Sequence, residues 1–219
     1  MTAQAPYRLV IFDFDGTLAD SFGWFLGALD QLAERHRFRR LPREELERLR
    51  GLDARGVIRE LGVSWWRLPA LARDFRKLAA RDLAGMRMFE GVAPMLHRLA
   101  HAGLALGIVS TNSEANVRAV LGPAAELIDY FDCGDGMFRK RFGLRRLLRR
   151  STVGRSQALY IGDEIRDYQA ARAAGIAFGA VSWGFTRPDA LRALRPALVF
   201  DTVEEIVPRL LGTASRQRP

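Results

Sequence analysis

The chain has 219 residues, 48% hydrophobic and 27% charged, enough for one full core or a core with a smaller appended domain. Thirty-four Lys and Arg against 25 Asp and Glu give a net charge of +9. That charge draws anions, but no zinc-finger spacing or aromatic-interleaved basic stretch accompanies it, which argues against nucleic acid as the partner. No apolar run approaches a membrane span, no signal-peptide pattern opens the chain, and the lone Cys133 excludes an internal disulfide. A cytoplasmic setting, with Cys133 as a small buried residue, is the expectation.

In chain order, Arg8 to Phe12 reads as a strand buried on both faces. Phe22, Phe25, Leu26, Leu29, Leu32 and Ala33 recur at helical steps, and helical stretches follow over 43–50, 54–61 and 68–83. The absence of a convincing strand from Asp20 to Met88 predicts an all-helical insert, with core segments 1–19 and 88–219 around a cap of residues 20–87. From Phe89 the rhythm alternates. A helix over 91–102 stops at Gly103, a strand over 104–110 follows, and Asn112 or Ser113 caps a helix to Leu121. Further strands are expected over 127–133, 158–162, 176–183 and 198–201, and helices over 138–150 and 164–174. Phe138, Phe142, Leu144, Leu147 and Leu148 should line the buried side of the first of these helices. A last helix to Leu211 is expected to open on a Thr202–Glu205 capping box. Strand–helix alternation of this kind predicts an α/β fold: a doubly wound, Rossmann-like parallel sheet whose ligands gather at strand carboxyl ends.

The chemistry-bearing residues fall at those ends. Asp13-Phe14-Asp15-Gly16-Thr17-Leu18-Ala19-Asp20 follows the first strand, and Gly16 permits a bend that brings both carboxylates together. Crowded acids call for a hard cation such as Mg2+. Asp13 suits nucleophilic attack on phosphorus, and Asp15 suits general acid/base work. Ser110, with Thr111 beside it, ends the second strand and can donate to a phosphate oxygen. Lys140, the only lysine in a basic run, offers a compact cation for the transferring group. In Gly162-Asp163-Glu164-Ile165-Arg166-Asp167, Asp163 can complete the metal shell, and Asp167 can hold metal waters or orient Lys140.

These four motifs resemble those of the haloacid-dehalogenase-like (HAD) superfamily hydrolases, subfamily I with a helical cap. Tyr160-Ile161-Gly162-Asp163-Glu164-x-Arg166-Asp167 followed by Ala180-Val181-Ser182-Trp183-Gly184-Phe185 is similar to the phosphoglycolate-phosphatase-like branch. The resemblance implies Asp13 as nucleophile and Asp15 as acid/base. It implies Mg2+ held by Asp13, the backbone carbonyl of Asp15, and Asp163, with backbone N–H groups around Phe14 to Thr17, Gly16 among them, cradling the phosphate. It also implies a small phosphorylated metabolite as substrate; a monomer or homodimer is expected. Asp15 argues against the dehalogenase branch, and Arg139 stands where close relatives often carry glycine. The turn Arg50-Gly51-Leu52-Asp53-Ala54-Arg55 resembles the family's specificity loop, so Arg50 or Arg55 is expected to bind a substrate carboxylate or second phosphate. Trp65 and Trp66 are expected to pack between cap and core. Rival readings are a sugar-phosphate mutase, a phosphonate hydrolase (for which Lys77 is the only cap lysine), and a binding protein that keeps the fold without turnover.

Overall fold

The computed structural model describes residues 7–40, 42–82, 85–134 and 139–212. Its core is a six-stranded parallel sheet built from β1 (Leu9–Phe12), β4 (Ala105–Ser110), β5 (Tyr130–Cys133), β6 (Ala158–Gly162), β7 (Ala177–Val181) and β8 (Leu198–Phe200), in the order β5-β4-β1-β6-β7-β8. All four residues of β1 are fully buried because the strand is central and both sheet faces are covered. Val10 and Phe12 face one hydrophobic cluster, completed by α5 (Val92–His101), α6 (Glu114–Leu121) and α10 (Ile206–Leu211). Leu9 and Ile11 face the other, completed by α7 (Lys140–Ser151), α8 (Ile165–Ala174) and α9 (Pro188–Ala193). This is the doubly wound, Rossmann-like α/β architecture, with the strand order reversing at β1.

Between β1 and α5 the chain leaves the core as α1 (Phe22–His36), α2 (Arg43–Leu49), α3 (Ala54–Glu60) and α4 (Leu68–Arg81). Two short strands, β2 (Ala19–Asp20) and β3 (Arg87–Met88), pair antiparallel at the entry and exit of this helical segment. The sequence reading found no strand there, because two residues are too few to show a period. Within the insert, His36 bonds Asp74 at 3.0 Å and ties α1 to α4, and Lys77 is exposed on α4.

Several expectations change. Trp65 and Trp66 do not pack between insert and core: they are 75% and 66% exposed, and their rings meet each other edge-to-face. Their 3-10 turn (Trp65–Arg67) runs directly into α4 and leaves both rings exposed. Phe142 is exposed rather than lining the buried side of α7, with the Arg139 and Arg141 guanidinium groups against its ring. The buried stripe runs through Lys140, Gly143, Leu144, Leu147, Leu148 and Ser151, which leaves Phe142 off it. Phe138 lies outside the described residues. Residues 122–127 form a 3-10 turn, so β5 starts at Tyr130. Thr202 makes no side-chain cap; instead Glu205 accepts the Asp201 N–H at 3.1 Å. Cys133 is half-buried, and burial pushes its thiol up to about 12.

Candidate active site

The Asp13 N–H donates to the Ile161 carbonyl at 2.8 Å, extending the β1–β6 ladder by one residue and delivering the Asp13 side chain to the carboxyl edge of the sheet. The chain then turns sharply. Leu18 and Ala19 both donate to the Phe14 carbonyl at 2.9 Å, and Gly16 takes φ +78°. A Cβ on Gly16 would stand 2.4 Å from an Asp163 carboxylate oxygen, so the position demands glycine for both conformation and space. The same turn revises the phosphate-cradle expectation for Gly16 and Thr17. Their N–H groups close the turn on Ala19 and Phe14 carbonyls at 2.9 and 3.2 Å, while the Thr17 hydroxyl donates to Asp163 Oδ1 at 2.8 Å.

Lys140, the first residue of α7, reaches down the buried stripe of that helix to the same edge. Its Nζ donates to Asp13 Oδ2 at 2.5 Å and to Asp167 Oδ1 at 2.6 Å. Asp167 also accepts from the Tyr160 hydroxyl at 3.1 Å and, through its other oxygen, from the Glu164 N–H at 3.1 Å. This last contact is half of a capping box that opens α8 and fixes the carboxylate. Asp163, at the end of β6, is held by Thr17 on one oxygen and by the Phe185 N–H on the other at 2.7 Å. Carboxylate oxygens of Asp13, Asp163 and Asp167 all lie within 4.8 Å of one another, and all three residues are buried.

The electrostatics follow from that crowding. Burial, reinforced by Asp167, pushes Asp13 well above the usual carboxylate range, with Lys140 pulling it back. Burial together with Glu164 and Asp167 pushes Asp163 up to about 8. Burial also acts against ionised Asp167, but Lys140 and Arg166 outweigh it and hold this carboxyl below its ordinary value. Burial opposes the charged form of Lys140, yet Asp13 and Asp167 overcome it and raise the ammonium. Three carboxylates against one contacting ammonium leave two negative charges uncompensated if all ionise. A hard, oxygen-seeking dication matches both that charge and the all-oxygen donor set. The side-chain cluster therefore includes Asp167 and leaves out the Asp15 carboxylate.

Asp15 lies on the other side of the turn, where the Asn112 amide donates to its Oδ2 at 3.3 Å. Burial raises its pKa, and hydrogen bonding from Asn112 works the other way. Asn112 is itself fixed, accepting from Ser113 N–H at 2.9 Å and from the Asn116 amide at 3.0 Å. Ser110 is buried at the end of β4, next to β1, and its oxygen accepts the Asn112 N–H at 3.0 Å, which leaves the hydroxyl hydrogen unengaged by that contact. Thr111 is half-buried beside it, and Ser113 caps α6 through Asn116 N–H at 3.2 Å.

The two insert arginines part ways. Arg55 is exposed in the first turn of α3. Arg50 reaches the core: Nε donates to the Phe185 carbonyl at 2.9 Å and Nη2 to the Gly184 carbonyl at 3.0 Å. Sequence reasoning missed three contributors. Asn112 was considered only as a cap. Gly184 leaves space for Asp163 that any Cβ would fill, at 2.2 Å from the Asp163 Cβ. Arg166, paired with Glu164, adds a second cation that favours ionised Asp13 and Asp167. Arg166 carried a signal as a cation inside the acid-rich strand-end motif, and Gly184 stood in the Ala180 to Phe185 string that shares the resemblance.

Residues 10–181 match the sequence profile of the haloacid dehalogenase-like hydrolases. The chain belongs to that family. A phosphoglycolate phosphatase from Synechococcus elongatus is 31% identical over 202 residues, covering 91% of this chain and 95% of its own. Another, from Xylella fastidiosa, is 34% identical over 201 residues, covering 84% of each chain. Among solved structures, a haloacid dehalogenase-like family hydrolase from Streptococcus pneumoniae superposes with a TM-score of 0.76 at 19% identity, covering 92% of this chain and 97% of that one. This haloacid dehalogenase-like protein is an enzyme of the phosphatase branch, and the resemblance read from its four motifs holds for the family and the fold.

Proposed function

We propose that this protein hydrolyses a small phosphorylated metabolite through an aspartyl-phosphate on Asp13, with Mg2+ as cofactor. The observation that carries the reading is the Asp13 carboxylate, buried at a strand end, clamped by Lys140 at 2.5 Å and within 4.8 Å of Asp163. Asp13 attacks the phosphorus while the bond to the leaving oxygen breaks, and Asp15, whose pKa is raised, gives its proton to the departing alkoxide. Asp15 then takes a proton from water as that water attacks the aspartyl-phosphate, which releases inorganic phosphate and restores Asp13. Lys140 favours the ionised form of Asp13 against its burial and lies where charge builds on the phosphoryl oxygens. Asp13, Asp163 and the Asp15 carbonyl would hold Mg2+, which when bound neutralises the phosphoryl oxygens. Ser110 and Thr111 supply hydroxyl donors at the neighbouring strand end.

Residues 20–87 form the cap in this reading, and closure over the site excludes water during the first transfer. Phosphoglycolate is the first substrate to test, because the relatives cited are named for it. A phosphonate hydrolase would need a reactive cap lysine, and Lys77 is exposed. The deciding experiment screens phosphorylated metabolites for phosphate release with Mg2+ and with EDTA, beside Asp13→Asn. Release that requires Mg2+ and vanishes in Asp13→Asn is expected; release that survives the substitution would remove Asp13 as nucleophile.

A further inference from the structure

Arg50 closes α2 and ties the helical insert to the loop that follows β7. Its guanidinium rests over the Phe22 ring at 5.0 Å and donates to Glu47 at 2.8 Å, to the Phe185 carbonyl at 2.9 Å and to the Gly184 carbonyl at 3.0 Å. Its own carbonyl accepts the Arg187 N–H at 3.0 Å. The Phe185 ring packs against Phe22 and Phe25 of α1 at 5.3 and 5.2 Å. Everything the insert grips here belongs to the loop after β7, and that loop also holds Asp163.

The connection runs through one peptide unit. The carbonyl of Gly184 and the N–H of Phe185 lie in a single rigid plane and point in opposite directions across it. Arg50 Nη2 fixes the carbonyl side at 3.0 Å, and the N–H side fixes Asp163 Oδ2 at 2.7 Å. Gly184 also lies hard against Asp163, for a Cβ added there would stand 2.2 Å from the Asp163 Cβ and 2.4 Å from its Oδ2. Thr186 adds an N–H bond to the Asp163 carbonyl at 3.3 Å. We infer that Arg50 is a positioning residue: through the Gly184–Phe185 peptide it couples the seating of the insert to the orientation of Asp163, so that the cation site is fully formed only when α2 is docked. The coupling to a cation rests on reading Asp163 as a Mg2+ ligand. A forked guanidinium is needed to span two consecutive carbonyls, and an ammonium cannot replace it.

The test is calorimetric titration of Mg2+ into the substrate-free protein, comparing wild type with Arg50→Met, Arg50→Lys and Arg76→Ala. Arg76 donates to the Gly134 carbonyl at 3.1 Å, a second bond between insert and core that does not touch Asp163. Both Arg50 substitutions should weaken Mg2+ binding about 10-fold, the lower end of what loss of a supporting contact does to a metal site, while Arg76→Ala leaves it unchanged. Unchanged Mg2+ affinity in the Arg50 variants overturns the inference. So does an equal loss in Arg76→Ala, which would mean that any loosening of the insert suffices. Amide exchange at Phe185, measured in EDTA, gives an independent readout: Arg50→Lys should accelerate it, and unaltered protection overturns the coupling. A wild-type protein that takes up no Mg2+ refutes the cation reading instead, and the Phe185 amide then decides the positioning role by itself.

Discussion

Replacing Lys140 by methionine removes the one ammonium from a nest of buried carboxylates. The side chain is 4% exposed and makes ion pairs of 2.5 and 2.6 Å with Asp13 and Asp167. Breaking a buried pair by deleting one partner costs about 3–5 kcal/mol, because the other charge stays buried without compensation. Here two carboxylates lose their partner, but proton uptake offers relief. Asp13, already raised well above its ordinary value, accepts the proton first. We therefore expect a loss of about 3 kcal/mol at neutral pH that shrinks on acidification, measured by urea unfolding in EDTA. Phosphate release should fall by about 10²–10³-fold, since the nucleophile is protonated and a transition-state cation is gone. Asp167→Asn removes the other end of the same contact, so the double variant should cost less than the two single changes added together, by about 0.5–3 kcal/mol. A loss below about 1 kcal/mol, independence of pH, or simple additivity would each refute this account of the cluster.

Three further outcomes follow from particular contacts. Gly184→Ala would push a methyl against Asp163, where a Cβ sits 2.2 Å from its neighbour, and thermal unfolding should show about 1–3 kcal/mol of destabilisation. In EDTA, stability should rise as pH falls from about 8 towards the ordinary carboxylate range, because Asp163 binds its proton in the folded protein before the unfolded chain does. The slope is up to about 1.4 kcal/mol per pH unit for that group, and saturating Mg2+ should flatten it; a stability that falls over this range would contradict the raised pKa. Cys133, pushed up to about 12, should react with iodoacetamide far more slowly in the native protein than after unfolding, followed by intact-mass measurement.

Much of the fold and site was legible because a central strand and its turn obey local rules. Leu9 to Phe12 reads as doubly buried from its apolar run, and the acids that follow it must emerge at the sheet edge. Lys140 stood out as the only lysine in a basic run, but its place on the buried stripe with Gly143, Leu144, Leu147 and Leu148 came from the structure, since the expected stripe ran through Phe142 instead. What stayed hidden depends on pairings remote in sequence. The role of Arg50 is set by carbonyls more than 130 residues away, and no composition or period announces a side chain whose partners are backbone oxygens. Backbone N–H groups in a glycine turn look available to a ligand until the turn's own acceptors are known, as Gly16 and Thr17 show. Trp65 and Trp66 were misjudged because hydrophobicity alone does not say which way a short 3-10 turn aims its rings.

The pairing of Ala19 with Met88 and of Asp20 with Arg87 also governs what this chain could become. Strands in register stand about 5 Å apart, so the excursion departs and returns through nearly a single point. Nothing in the β1–β8 scaffold needs rethreading if everything beyond that neck is exchanged. A lineage, or an engineer, could trim, enlarge or transplant the outer module while the phosphate chemistry beneath keeps its geometry, provided the newcomer supplies its own grip on the loop at Gly184.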